Sequence, residues 1–256
     1  MEIRLDFRSR ESREIRSVSV TMRTPGHDFE LAAGFLYSEG ILQRREQVRE
    51  ITYCRSLEAP QEYNVVTVGL RDGEEPDPDL LTRNFYTTSS CGVCGKASLE
   101  AVQVKGARPL DVDGFRMPAS RLSRLPETLR ESQPAFRETG GLHAAGLFDA
   151  EGDLVELRED VGRHNAVDKV VGRAFLDDRL PLTERVLVVS GRTSFEILQK
   201  ALAAGIPMVV AVGAPSSLAV ELARRFNMTL SGFTRDRGFN LYAGFRRVPD
   251  WSPEET

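Results

Sequence analysis

Apolar residues follow two different rhythms along this chain. In the first third they alternate with polar ones, so that Ser17 to Met22, Val48 to Tyr53 and Asn64 to Leu70 read as strands with one covered face. Between the first two, Phe29, Ala32, Ala33 and Leu36 recur at the i, i+3, i+4, i+7 spacing of a buried helical stripe. That helix opens near Pro25-Gly26-His27-Asp28, with Asp28 suited to the N-cap, and Gly40 suits its end. The arginine-rich stretch from Arg4 to Arg16, mixed with acids, reads as a solvated strand or arm. Arg71 to Asp79 reads as a solvated connection, and Trp251 to Thr256 as a frayed tail.

The second rhythm begins near Gly141. Gly141 to Phe148 and Leu154 to Arg158 flank Asp149-Ala150-Glu151-Gly152-Asp153, the pattern of a hairpin. Ala166, Val167, Val170, Val171, Ala174 and Phe175 then give a broad apolar helix face. Val186 to Val189 and Met208 to Val212 are short, wholly apolar runs, each followed by a glycine and a helical pattern (Phe195 to Ala204, Leu218 to Phe226). Strands without alternation, separated by helices, mark parallel strands covered on both faces. The expected fold class is therefore α/β, with an N-terminal α+β lobe over residues 1–108 and a three-layer α/β domain over 109–256.

Composition narrows the setting. At 256 residues and 41% hydrophobic, the chain can bury a substantial core. A formal charge of −4 with acids and bases interspersed gives no global basic footprint, so bulk nucleic acid is not the expected partner. No apolar run approaches the roughly 18 residues of a membrane span. Three cysteines and no secretory leader point to a soluble protein of a reducing cytoplasm.

Two of those cysteines carry the strongest chemical signal. Cys91 and Cys94 lie in Thr87-Thr88-Ser89-Ser90-Cys91-Gly92-Val93-Cys94-Gly95-Lys96, among small residues that cannot bury them in a packed core. A thiolate there is favoured by the C-x-x-C geometry, by Lys96 and by local N–H groups, which lower the pKa from its free value of about 8.5. Structural zinc needs about four ligands, and Cys54 with scattered histidines supplies no second pair. A thioredoxin-like pair belongs at the amino end of a helix after a strand, whereas this one follows a hydroxyl-rich stretch. Sulfur chemistry and a metal both stay open on the residues alone, on a loop free to meet partners.

A second candidate site follows from the α/β pattern. In an open parallel sheet, ligands gather beyond the carboxyl ends of the strands, where helix amino termini favour anions. Those positions read Ser190-Gly191-Arg192-Thr193-Ser194 and Gly213-Ala214-Pro215-Ser216-Ser217, joined by a later turn, Gly232-Phe233-Thr234-Arg235-Asp236-Arg237-Gly238, and by Arg163 and His164 at a helix start. Arginine forks can grip phosphate, and Phe233 offers an aromatic face. Each element alone is also ordinary turn or cap chemistry, and His164 can equally cap or pack its helix. Neither G-x-G-x-x-G nor G-x-x-x-x-G-K-[ST] occurs.

Several of these segments together resemble a known family. Arg23-Thr24-Pro25-Gly26-His27-Asp28 with Ala33-Gly34-Phe35-Leu36, Ser90-Cys91-Gly92-Val93-Cys94-Gly95, Gly141-Leu142-His143-Ala144-Ala145, Glu159-Asp160-Val161-Gly162-Arg163-His164-Asn165-Ala166-Val167-Asp168-Lys169, Ser190 to Ser194 and Gly232 to Arg235 are similar, in order, to the FdhD family of formate dehydrogenase accessory sulfurtransferases.

The resemblance implies a cytidine-deaminase-like fold for the C-terminal domain and a cytoplasmic sulfurtransferase activity. Persulfide sulfur would be accepted from a cysteine desulfurase and passed to the molybdenum bis-guanine dinucleotide cofactor destined for formate dehydrogenase. Cys91 falls at the carrier position, with Cys94 as neighbour, and Phe233, Thr234, Arg235, Asp236, Arg237 and Gly238 fall at the segment credited with cofactor binding. A guanine nucleotide would mimic the cofactor there, with Gly191, Arg192, Arg163 and His164 alongside. A homodimer is implied, and no zinc. Zinc deaminases use His-x-Glu and Pro-Cys-x-x-Cys, where this chain has His164-Asn165-Ala166 and Thr193-Ser194-Phe195-Glu196-Ile197. The proton shuttle and thiolate ligands are missing, so deamination is not expected. The rival from another class is a chaperone that binds the cofactor without carrying sulfur.

Overall fold

A computed structural model describes residues 1–9, 12–54, 62–81, 85–86, 108–111, 114–236 and 238–252. Cys91, Cys94 and Arg237 lie outside the described residues. Among those described, strands form two sheets. The first contains β1 (Glu2–Arg8), β2 (Arg13–Val20), β3 (Val48–Tyr53), β4 (Val65–Leu70) and β5 (Phe85–Tyr86) in the order β3-β4-β1-β2-β5. β1 runs parallel to β4 and antiparallel to β2.

The amino end thus forms two strands rather than an arm; β2 is solvated along Arg13 to Ser17 as expected, whereas β1 is not. Ile3 and Leu5 are fully buried on β1, against α1 (Asp28–Ser38). Its charges mask that alternation in the sequence, and they are disposed of locally. Asp6 accepts from Arg13 on the adjacent β2 and from Arg49, which reaches across β4 from β3, and Arg4 pairs with Glu2. Helix α1 begins one residue earlier than expected: His27 holds the N-cap in the left-handed region at φ 58°, and Asp28 is the first helical residue. Asp28 is buried and bonded to Arg23, which also reaches Asn64 and the Tyr63 carbonyl.

The second sheet has the order β11-β10-β9-β8-β6-β7, built from β6 (His143–Phe148), β7 (Leu154–Asp160), β8 (Val186–Val189), β9 (Met208–Ala211), β10 (Thr229–Arg235) and β11 (Gly238–Ala243). Only β8, β9 and β10 are mutually parallel; β6, β7 and β11 join antiparallel. Alternate residues serve opposite faces. Leu187, Val189, Val209 and Ala211 meet α6 (Arg163–Leu176), α7 (Phe195–Ala203) and α8 (Ser217–Arg225). Val186, Val188, Met208 and Val210 meet the other layer, which includes α3 (Ala119–Leu122) and α4 (Leu125–Glu131). With α2 (Pro78–Leu81) and α5 (Pro134–Thr139), this completes the described α-helices. The α/β expectation holds, as a mixed rather than a wholly parallel sheet. Trp251 is not frayed: it stacks on Phe245, 5.0 Å between centroids, and packs against that second layer.

The two sheets are joined through α1 and α6. The helices cross where Gly34 faces Gly172; a Cβ on either would come within 1.8 Å of a backbone carbonyl oxygen of the other helix. Around this contact every buried charge is paired. Lys200 bonds Asp168 at 2.7 Å, where Ser38 also donates, and Arg158 bonds Glu30 at 2.5 and 2.8 Å. Asp160, fully buried, pairs with Lys169 at 2.7 Å and accepts from the Thr24 and Gly162 backbone N–H groups and from Asn165. Lys169 in turn donates to the Thr24 and Glu159 carbonyls. The long motif from Glu159 to Lys169 therefore serves largely to hold the two halves together.

Candidate functional site

Beyond the carboxyl ends of β8, β9 and β10 the connecting loops are zipped to one another. Gly213 N–H donates to the Gly191 carbonyl, Thr193 N–H to Ala214, Ser216 N–H to Thr193, and Phe233 N–H to Gly213. These bonds prolong the parallel ladder past the strands. They also use N–H groups that the sequence left available for an anion, so anion affinity here falls to the side chains. Gly213 is required by this closeness, since a Cβ would stand 2.9 Å from the Arg192 nitrogen.

The predicted residues divide between the two faces of the sheet. On the α6 side, His164 Nε2 lies 2.9 Å from Ser194 Oγ, so the positions matching the two deaminase motifs do meet. Burial, reinforced by Arg163 and Lys200, lowers the His164 pKa to about 4 and keeps the ring neutral. Burial pushes the Glu196 carboxyl up, but hydrogen bonding, that with Ser194 foremost, holds it below its ordinary value. Arg163 lies close by with its Nε buried and unpartnered among the described residues. His164 thus packs against Ser194 with Arg163 as its charged neighbour.

On the other face a cavity of about 590 Å³ lies between α4, α5 and the strand ends. Leu129, Phe136, Leu142, His143, Thr234 and Arg235 are among its walls, and Asp236 stands at its edge. The expected turn at Gly232 to Gly238 is in fact the tip of the β10–β11 hairpin, with Phe233 at φ 53° and half exposed. This hairpin sends Thr234 into the cavity wall, where its Oγ1 lies 2.6 Å from Ser231 Oγ, and leaves Phe233 outside it. Gly191 links the two faces: a Cβ there would stand 3.2 Å from His143 Nδ1 and 3.6 Å from Arg163 Cδ. The pKa of His143 is lowered by burial and by Arg163. Arg192 and Arg235 are exposed and make no ion pair among the described residues. The cavity wall thus combines Leu129, Phe136 and Leu142 with Arg130, Arg235, Glu127 and Asp236, while Arg163 lies on the opposite face of the sheet; an apolar wall carrying arginines suits a planar ring with anionic groups.

Sequence reasoning missed the α4–α5 wall, and with it Phe136, Gln133, Arg130 and the role of His143. The signal was present in Leu122, Leu125 and Leu129, spaced i, i+3, i+7, and in Pro126 and Pro134 at helix starts.

Comparison with known proteins decides the family. The model of the FdhD/NarQ family matches residues 9–249. This chain belongs to the FdhD/NarQ family. A relative in Streptomyces coelicolor, named sulfur carrier protein FdhD, is 53% identical over 236 residues, covering 91% of this chain and 84% of that one. A relative of the same name in Sulfolobus acidocaldarius is 42% identical, covering 91% and 85%. Among solved structures, a formate dehydrogenase accessory protein from Desulfotalea psychrophila matches with a TM-score of 0.67 and 25% identity over 97% of this chain and 98% of that one. No helix among the described residues is long and apolar enough to cross a membrane.

Proposed function

We propose that this FdhD/NarQ protein is a sulfurtransferase, carrying persulfide sulfur on Cys91 from a cysteine desulfurase to a molybdenum bis-guanine dinucleotide cofactor for formate dehydrogenase. The relatives' name supports sulfur carriage. The observation that carries the cofactor half is the strand-end cavity lined by Phe136, His143, Thr234 and Arg235, the last without an ion pair among the described residues.

The chemistry balances with the two thiols in hand. The Cys91 thiolate attacks the outer sulfur of the donor's persulfide; a new S–S bond forms on Cys91, and the desulfurase cysteine leaves as thiolate. Delivery has two routes from there. Cys94 can attack Cys91 sulfur, closing a disulfide whose formation supplies two electrons and releases the outer sulfur as sulfide. Alternatively Cys94 attacks the outer sulfur, takes over the persulfide and presents it to the cofactor. Arginine forks would hold the cofactor's phosphates at the rim, and the neutral His164 would keep Ser194 and Glu196 in place beside Arg163.

The test is mass spectrometry of the protein after incubation with a cysteine desulfurase and L-cysteine, comparing wild type, Cys91→Ala and Cys94→Ala. A reductant-sensitive gain of one sulfur on the Cys91 peptide, lost in Cys91→Ala, is expected. Absence of added sulfur in a protein that still binds guanine nucleotide would replace the carrier with a cofactor chaperone.

A further inference from the structure

Two neighbouring acids at the end of β7 hold two different things. Asp160 grips the joint between the sheets, as described above. Glu159 points the other way: its Oε2 accepts from Ala135 N–H at 2.9 Å, and its Oε1 from Phe136 N–H at 2.8 Å and from Gln133 Nε2 at 3.3 Å. These are the unsatisfied N–H groups of the first turn of α5, which opens on Pro134 and has no capping side chain of its own. At six residues α5 is too short to persist by itself, so the carboxylate from the sheet fixes where it sits. Gln133 and Phe136 are also cavity walls.

We propose that Glu159 is a positioning residue for the ligand of the strand-end cavity, acting by clamping the first turn of α5 so that Phe136 meets the bound ring. This rests on the nucleotide reading of the cavity. Glu159 itself does not line it. Replacement by Gln keeps one acceptor and turns an NH2 group toward the second N–H, so the turn is released while size is preserved. The same carboxylate stands one residue from Asp160, so the wall that meets the ligand and the joint that holds α1 are anchored at one strand end.

The probe is GDP, titrated calorimetrically into the full chain. Wild type, Glu159→Gln, Phe136→Ala and the double variant form a cycle, with amide exchange at Ala135 and Phe136 followed in parallel. The expectation is a loss of about tenfold in affinity for each single variant, a double variant no weaker than Phe136→Ala alone, and faster exchange of the two amides in Glu159→Gln. If the two losses instead multiply, Glu159 acts by general destabilisation and the positioning role is overturned. Wild-type affinity retained in Glu159→Gln overturns it as well while leaving the nucleotide reading intact. No binding of GDP by the wild type removes both.

Discussion

The joint between the sheets and the rim beyond the strand ends stand at opposite extremes of electrostatic completeness. At the joint, Asp160, Lys169, Asp168 and Lys200 are all nearly or fully buried, and each has a close charged partner. At the rim, Arg163, Arg192 and Arg235 lack carboxylate partners among the described residues, and the Arg163 Nε is buried with none at all. Buried charge that is fully paired specifies a geometry; exposed charge without an ion pair stays open to water or to a ligand. The same eleven-residue motif feeds both, for Asp160 and Lys169 belong to the joint while Arg163 and His164 face the rim.

The sharpest way to break this contrast is to crowd the joint. Gly172→Val places atoms against the Glu30 carbonyl, a backbone neighbour that cannot rotate away, so destabilisation beyond about 4 kcal/mol is expected and little folded protein should be recovered. Lys169→Met removes one member of a buried pair and strands Asp160; about 3–5 kcal/mol should be lost in urea denaturation. A near-neutral result would mean that the pair does not hold the halves together.

His164 gives an intermediate effect with a defined sign. Its folded pKa of about 4 lies below the ordinary value of 6.5, so the unfolded chain binds a proton first as pH falls. The stabilisation is complete above about pH 6.5 and disappears as the pH drops toward 4, a change on the order of 2–3 kcal/mol. Asp168 works in the opposite direction, since burial raises its pKa to about 6. The difference between wild type and His164→Gln therefore isolates the histidine: denaturation at pH 7.5 and 4.5 should show the smaller pH dependence in the variant.

The smallest effect on stability is expected at the rim. Arg235→Ala should change unfolding by no more than about 0.5 kcal/mol, yet weaken GDP binding about tenfold. Unchanged GDP binding would make Arg235 an ordinary solvated arginine and leave the cavity's apolar wall to explain any affinity.

Much of this contrast was legible in the chain, unevenly. The apolar runs at Val186 and Met208, the hairpin around Gly152 and the α1 stripe follow from periodicity because a fully covered strand or a one-sided helix writes its burial directly into residue type. β1 was obscured because Arg4, Asp6 and Arg8 find partners or solvent between Ile3, Leu5 and Phe7, which local charge content does not reveal. The antiparallel neighbours of β8 and β10 depend on chain routing, which apolar runs do not encode. At the site, Arg163, His164 and Arg235 were named from motif and placement, and their separation onto two faces was not foreseen. The α5 wall escaped because its anchor, Glu159, lies far from it in sequence.

The Gly34 and Gly172 crossing has a further consequence for the nascent chain. Helix α1 and the strands that cover its other face are synthesised long before α6 leaves the ribosome. Until then the flat glycine side of α1 and the buried end of Glu30 have no counterpart. The N-terminal half must wait, incompletely covered, for a helix made much later, and a fragment ending before residue 163 should depend on chaperones where the whole chain does not.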